Sequence, residues 1–211
     1  MFYLGGFWKA AFCYYWQSQR TLTIRLTRNK MKIHHPPHIY LDNLHYFITC
    51  RTFNRQYFFD SDETKSMLFK VINESVNQLK INLIAYVILS NHYHILIFLK
   101  QGKILPNLMQ LINGRSSRRL KSLHAPDGRL ISLPSGYRRK VWYNYWDHGI
   151  RDERDFWRHF NYIHHNPVKH GYIRRMKDYK FSSYNYWLNR KGAEWLNSCF
   201  ETYPIIDYTT D

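Results

Sequence analysis

Apolar and polar residues in the middle of the chain follow patterns that predict both strands and helices. Residues 45–53 are rich in β-branched and aromatic side chains and predict a strand. Residues 60–80 open with capping residues and acids and continue with apolar residues at helical spacing, so they predict a helix lying on a sheet. Two further β-rich runs, residues 81–89 and 92–99, are separated by Ser90-Asn91 and predict a hairpin.

Three later segments complete this pattern. Residues 105–123 place their apolar side chains on one helical stripe and predict a second helix. Residues 141–150 form an aromatic run typical of a strand. Residues 151–173 predict a helix whose first turn carries acids and whose end is marked by Asn166-Pro167 and Gly171.

The charge of the chain indicates a polyanionic partner. Its 211 residues include 31 Lys and Arg against 15 Asp and Glu, a formal net charge of +16, and nucleic acid is the first partner that such an excess suggests. Residues 115–140 hold eight cations and one acid, Asp127. We therefore expect a surface that follows backbone phosphates. The residues predicted to bind DNA are Arg115, Arg118, Arg119, Lys121, Arg138, Arg139 and Lys140.

Two other features of the composition exclude whole classes of protein. No apolar run approaches the roughly 18 to 20 residues that a bilayer-spanning helix needs, so we expect no membrane partner. The three cysteines, Cys13, Cys50 and Cys199, are scattered and form no C-x-x-C pair. They predict reduced thiols in a cytosolic protein and argue against a zinc finger.

Two histidines stand at the start of the second strand of the hairpin. His92 and His94 are two residues apart, and alternate residues of a strand share a face, so their imidazoles lie side by side. The run that follows is apolar on both faces and predicts a central strand covered on each side. The pair could hold a metal ion, or it could be one half-buried and one exposed histidine of ordinary kind.

A tyrosine and an asparagine are spaced four residues apart in the last predicted helix. Tyr162 and Asn166 therefore lie on one face of that helix. Alone, this spacing indicates packing and a helix cap as readily as a functional pair. Together with a histidine pair it becomes specific.

These segments resemble a known family. The stretches NHYHILI, RDERDFWRHFNYIHHNPVKHGYI and DYKFSSY are similar to the single-tyrosine HUH transposases, and most closely to the REP-associated tyrosine transposases. The resemblance covers about residues 39–186. Two departures are Leu89-Ser90-Asn91-His92, where the family commonly has Met-Pro-Asn-His, and Tyr93, which is bulkier than the usual aliphatic residue; neither touches a predicted ligand.

The resemblance implies both a fold and a set of site residues. The fold is an α/β (α+β) domain of the HUH-endonuclease, ferredoxin- or RRM-like kind, with an antiparallel central sheet and helices packed on it. Tyr162 falls on the nucleophile, His92 and His94 fall on the metal ligands, and Asn166 falls on the polar amide that completes the metal site. Two imidazoles and an amide oxygen suit a divalent ion, Mg²⁺ or Mn²⁺.

The predicted reaction is cleavage and rejoining of single-stranded DNA displayed beside a REP-like hairpin. Tyr162 would attack a phosphodiester, forming a 5′-phosphotyrosine link and a free 3′-hydroxyl, which a second 3′-hydroxyl can reverse. Two other functions stay open at this stage. One is a protein that binds hairpin DNA or RNA without cleaving it, and the other is a metal-dependent nuclease that uses water as the nucleophile.

The domain organisation predicted from the sequence has three parts. Residues 1–30 are expected to be a poorly ordered extension, with Met31 as the true start; residues 31–187 form the transposase domain, and residues 188–211 form a tail. The predicted location is the bacterial cytoplasm. Either a monomer or a homodimer is compatible with the sequence.

Overall fold

A computed structural model describes residue 38, residues 40–122 and residues 140–206. The described part of the chain forms four strands and five α-helices. The strands are β1 (Leu44–Thr52), β2 (Asn82–Ile88), β3 (His92–Leu99) and β4 (Trp142–Gly149). The helices are α1 (Asp62–Gln78), α2 (Leu105–Ser122), α3 (Glu153–Lys169), α4 (Tyr184–Lys191) and α5 (Ala193–Thr202).

The four strands form one antiparallel sheet in the order β2-β3-β1-β4. The hairpin predicted around Ser90-Asn91 is confirmed as β2 and β3, and β3 is an inner strand, as its two apolar faces predict. Successive side chains of a strand point to opposite faces of the sheet, so Tyr93 and His94 of β3 face opposite sides. In the register of the β1–β3 pair, Thr49 lies opposite His94 and Cys50 lies opposite Tyr93.

Helices cover both faces of this sheet, and the two coverings differ. On one face, Asn113 of α2 bonds to the Tyr93 hydroxyl and contacts the Cys50 thiol. On the other, Tyr162 of α3 packs its ring edge-on against His94, with 5.4 Å between the ring centroids. The sheet thus separates α2 from the histidine pair, and it brings α3 onto that pair.

The N-termini of α1 and α3 follow from their capping residues. Ser61 accepts a hydrogen bond from the backbone of Thr64 at 3.2 Å, and Asp152 accepts one from the backbone of Asp155 at 2.7 Å. Each side chain satisfies a backbone N–H that the first helical turn leaves without a partner. Acids in both first turns add a favourable interaction with the helix dipole.

The end of α3 falls between the two signals that mark it in the sequence. The helix passes Asn166-Pro167 and continues to Lys169, two residues before Gly171. Proline lacks an N–H and so removes one hydrogen bond to the turn before it, but the chain regains helical bonds beyond it: His170 N–H donates to Asn166 C=O at 3.0 Å. The helix stops where Gly171 takes a positive φ of 72°, a conformation that suits glycine.

The predicted tail after Trp187 contains a helix that packs on the domain. Asn161 of α3 donates hydrogen bonds to the backbone carbonyls of Cys199 and Tyr203, at 2.9 and 2.8 Å. Trp187 itself donates to the carbonyl of Ile84 in β2. The described part of the tail is thus tied to α3, and the residue just before it is tied to the sheet. The domain boundaries drawn from the sequence stay a prediction.

No helix within residues 40–122 and 140–206 combines the length and the apolar character that crossing a membrane requires.

Candidate active site

The histidine pair lies at the beginning of the inner strand β3 and is almost completely buried. His92 is 6% exposed and His94 is fully buried. Their rings lie edge to face with centroids 5.0 Å apart, so the strand geometry expected from the sequence is present. Neighbouring groups fix both rings: the Asn91 side chain lies 2.7 Å from Nδ1 of His92, and the Thr49 hydroxyl lies 2.8 Å from Nδ1 of His94. In both cases Nε2 is the ring nitrogen left for another ligand.

Helix α3 brings Tyr162 and Asn166 to the same place. The Tyr162 ring contacts His94, and the Asn166 amide lies close enough to His92 to affect the pKa of its imidazole. Both helix residues are buried, Tyr162 at 1% exposed and Asn166 at 0%. The structure therefore brings together all four residues predicted as nucleophile and metal ligands.

The polar atoms of this cluster have the chemistry of metal ligands. Among the described residues, neither side-chain atom of Asn166 has a hydrogen-bond partner, and neither does Nε2 of His92. A buried amide without partners costs about 1–3 kcal/mol, so proteins rarely keep one without a reason. An imidazole nitrogen and an amide oxygen are both suitable metal ligands, and a divalent ion would satisfy them.

Both histidines are held in the neutral form that metal binding requires. Burial lowers the pKa of His92 to about 3, and the nearby His170 acts in the same direction. Burial also places the pKa of His94 well below its ordinary value, with His92 as the next contributor. Because a neutral imidazole presents a lone pair, both rings are ready to coordinate an ion at neutral pH.

Lys169 is a site residue that the sequence reading missed. Its ammonium donates a hydrogen bond to the Tyr162 hydroxyl at 3.4 Å and lies 5.1 Å from the centroid of the same ring. The two residues are seven apart, which is about two turns of helix and so the same face. Both residues lie within the predicted helix 151–173, but a lysine near a helix end is usually a solvated cation, so the spacing alone does not single it out.

A different group on the same face of the sheet could hold a metal ion. His148 of β4 and Asp155 and His159 of α3 each offer a ligand atom, and these atoms all lie within 4.8 Å of one another. Phe47 separates this group from the first, since its ring contacts both His94 and His159, with centroid distances of 5.3 and 4.5 Å.

The carboxylate of this second group is already heavily bonded. Asp155 accepts from His148 Nε2 at 2.8 Å and from the backbone and side chain of Arg151 at 3.0 and 3.1 Å. Burial alone would raise the pKa of Asp155, but hydrogen bonds from His148, His159 and Arg151 outweigh it and hold that pKa well below the usual range. An ion here would have to displace some of these bonds.

The cations predicted to bind DNA are spread over separate places. Arg115 and Arg119 bond to Gln78 and Glu74 of α1, at 2.5 and 2.6 Å. Arg118 and Lys121 are exposed on α2, the helix on the opposite face of the sheet from the histidine pair. The structure therefore does not bring the α2 cations to the predicted active site, and their role in binding DNA stays a prediction.

Lys140 lies in a different setting. It is exposed at the start of β4, and its ammonium lies 5.3 Å from the ring centroids of both Phe53 and Tyr143. A cation between two aromatic rings is a common feature of surfaces that bind single strands. Arg138 and Arg139 lie outside the described residues.

Comparison with known proteins agrees with this architecture. The family model described as "Transposase IS200 like" matches residues 40–140. A REP-associated tyrosine transposase of Haemophilus influenzae is 32% identical over 141 residues, which is 61% of this chain and 79% of that protein. A REP-associated tyrosine transposase of Escherichia coli is 38% identical over 48 residues, 22% of this chain and 29% of that protein.

A solved structure shows the same fold. It is described as a REP-associated tyrosine transposase bound to a REP hairpin, and it superposes with a TM-score of 0.62 at 22% identity, covering 75% of this chain and 87% of that one. The antiparallel sheet with helices on it, expected from the resemblance, is confirmed. With the fold, the family model and the identity to the Haemophilus influenzae protein in agreement, this chain belongs to the IS200-like transposases and, among them, to the REP-associated tyrosine transposases.

Proposed function

We propose that this protein cleaves and rejoins single-stranded DNA at hairpin sequences through a covalent link to Tyr162. The observation that carries the proposal is the convergence of four buried polar side chains on one face of the sheet: His92, His94, Tyr162 and Asn166. Two of them hold side-chain atoms without hydrogen-bond partners among the described residues. A cluster of this kind is costly to fold and is typical of a site that binds a ligand.

In this account His92, His94 and Asn166 hold a divalent ion, Mg²⁺ or Mn²⁺. When bound, such an ion polarises the phosphate and stabilises the charge that develops on its oxygens. Asn91 and Thr49 orient the two imidazoles through their Nδ1 atoms, which leaves Nε2 of each ring for the ion. The protein thus supplies a rigid set of ligands on a central strand and its covering helix.

The covalent step belongs to Tyr162. Its hydroxyl oxygen forms a bond to phosphorus, the bond from phosphorus to the 3′ oxygen breaks, and the phenol proton ends on the released 3′-hydroxyl. The strand downstream stays attached to the protein as a 5′-phosphotyrosine ester. Lys169 holds the tyrosine oxygen by a hydrogen bond and places a positive charge beside it. Attack by another 3′-hydroxyl reverses the step, joins strands and releases the tyrosine.

Single-stranded DNA beside a hairpin is the substrate that we propose. The related protein of known structure is described as bound to a REP hairpin, and the formal charge of +16 favours a polyanionic partner. Because Tyr162 and the histidines are buried, an unpaired strand reaches them more readily than a duplex does.

The test is formation of a covalent adduct. Wild-type protein, Mn²⁺ and an end-labelled DNA hairpin with single-stranded flanks should give a product that survives denaturation and is absent for Tyr162→Phe. If the wild type binds the hairpin but forms no adduct, the protein is a binder rather than a transposase. If Tyr162→Phe still cleaves while His92→Ala does not, water is the nucleophile and the enzyme is a metal-dependent nuclease.

A further inference from the structure

A pocket opens beside the histidine pair and is not used by the mechanism above. Its volume is about 500 Å³, and its lining includes Arg51, Arg55, Tyr57, His92 and Tyr172. That volume falls within the range of about 300–1,000 Å³ that is typical of small-molecule sites. His92 belongs to both the pocket and the proposed metal site, so whatever fills the pocket adjoins the phosphate under attack.

The two cations of this pocket lie at the end of β1 and in the turn that follows, which has an unusual backbone. Arg51 lies near the end of β1, directly opposite His92. Arg55 lies in the short turn that follows, where Asn54 and Arg55 have φ angles of 51° and 55°. Residues other than glycine rarely adopt this conformation, and such strain is concentrated at functional sites. The Asn91 side chain supports the turn by donating a hydrogen bond to the Arg55 carbonyl at 3.3 Å.

Aromatic residues complete the pocket. Tyr57 is 67% exposed, the largest exposed fraction among the big apolar side chains of the described residues, and Tyr172 is 37% exposed. The Tyr172 hydroxyl accepts a hydrogen bond from the backbone N–H of Ser90, which fixes its ring at the pocket wall. Two accessible phenol rings next to two guanidinium groups are the combination that single-stranded nucleic acids use for binding, since bases stack on rings and phosphates pair with cations.

We propose that this pocket binds one nucleotide of single-stranded DNA next to the phosphate that Tyr162 attacks. Arg51 and Arg55 hold the backbone phosphate of that nucleotide, and its base stacks on Tyr57. This assignment rests on the proposed function for the identity of the strand. It adds a positioning site that the metal cluster lacks, since that cluster has no group for a base.

The experiment measures binding separately from cleavage. The full chain carrying Tyr162→Phe is titrated against a fluorescent, mixed-sequence single-stranded DNA at several salt concentrations. On that background Tyr57→Ala removes the stacking ring and Tyr57→Phe keeps it. Arg55→Gly removes the cation, and glycine adopts the positive φ of this position without strain. The control is Arg154→Ala, which removes an exposed arginine at the opposite end of α3 from Asn166.

The proposal predicts a loss of affinity of about tenfold for Tyr57→Ala, within the range of base stacking, and little change for Tyr57→Phe. Arg55→Gly should weaken binding and lower the salt dependence by about one phosphate contact. Affinities for Tyr57→Ala and Arg55→Gly that match the Arg154→Ala control would overturn it. A separate adduct assay distinguishes the two proposals. If the wild type forms the adduct but the pocket variants bind DNA as tightly as the control, only the pocket proposal is refuted. If the pocket variants bind DNA more weakly but the wild type forms no adduct, only the tyrosine chemistry is refuted.

Discussion

The two faces of the sheet show opposite ways of handling polar groups. On the α2 face, Asn113 bonds to Tyr93 and Cys50, and Trp142 donates to the Ser116 hydroxyl. On the α3 face, Asn166 is fully buried, whereas Asn113 is half-buried, yet both side-chain atoms of Asn166 lack hydrogen-bond partners among the described residues. The first face is built for stability. The second keeps unsatisfied polar atoms, and the difference indicates where the chain has given up stability for function.

The same strand carries both kinds of environment. Tyr93 and His94 are neighbours in β3, and both are fully buried, but they point to opposite faces. Adjacent substitutions in this strand can therefore separate structural from chemical roles, and the predictions below use such matched pairs.

The largest expected effect is that of His94→Ala on chemistry. Loss of one of two imidazole ligands should lower the rate of adduct formation by more than about 100-fold, since even indirect support of a metal ligand is worth 10–100-fold. Tyr93→Phe is the matched control, because it removes only the hydroxyl that bonds Asn113 on the other face. Its adduct rate should stay near that of the wild type, while its unfolding free energy falls by about 1 kcal/mol. Equal losses of activity in the two variants would contradict the division between the faces.

Lys169→Met tests the cation beside the tyrosine. It removes the hydrogen bond and the charge at the Tyr162 hydroxyl, and we expect the rate of adduct formation to fall about tenfold, within the range for loss of a single electrostatic contact at a reacting group. Single-turnover cleavage at saturating DNA separates this effect from binding. Lys103→Met, an exposed lysine near the far end of β3, should leave that rate unchanged. A rate for Lys169→Met equal to that of Lys103→Met would exclude a role for this lysine in the chemistry.

The two asparagines that face the sheet, half-buried Asn113 and fully buried Asn166, should respond differently to replacement by leucine. Asn113→Leu leaves the Tyr93 hydroxyl without its acceptor and should lower the unfolding free energy by about 1–2 kcal/mol. Asn166→Leu removes an amide whose side-chain atoms have no hydrogen-bond partner within the described part of the chain, so it should leave stability unchanged or raise it by about 1 kcal/mol, while adduct formation is lost. Urea unfolding without added metal measures both. A destabilised Asn166→Leu protein would mean that the amide has a structural role.

The smallest effect is expected on the outer surface of the α2 face. Arg119→Ala breaks a partly exposed ion pair with Glu74, and such pairs contribute about 0–1 kcal/mol. Arg118→Ala removes an exposed cation of the same helix and should not change stability. The affinity of each variant for single-stranded DNA tests the sequence prediction for these residues. If neither variant loses more affinity for DNA than Arg154→Ala does, α2 does not belong to the DNA-binding surface.

Much of the sheet and of the candidate site can be predicted from the sequence. Strand alternation predicted that His92 and His94 share a face, and helical spacing predicted the same for Tyr162 and Asn166. The local patterns do not predict that the two pairs meet between β3 and α3. That expectation came from the family resemblance, because pairing order and helix placement depend on contacts between residues far apart in the chain.

Other features had weak or misleading local signals. Of the two signals for the end of the last helix, Gly171 lies beside the observed end and Pro167 does not, because proline stops a helix only when the chain cannot recover its bonds afterwards, and here His170 restores one. The cluster of cations at residues 115–121 indicated a DNA surface, although sequence spacing cannot show that Arg115 and Arg119 meet Gln78 and Glu74 of another helix. The pocket around Arg55 depends on backbone angles that no composition rule predicts.

The proposed mechanism requires that His92, His94 and Asn166 hold one metal ion beside Tyr162. The direct measurement is the position of Mn²⁺ in crystals of the Tyr162→Phe protein with bound single-stranded DNA, located by anomalous scattering. We expect a peak within coordination distance of Nε2 of both His92 and His94. A peak confined to His148, Asp155 and His159, with none at the histidine pair, would contradict it.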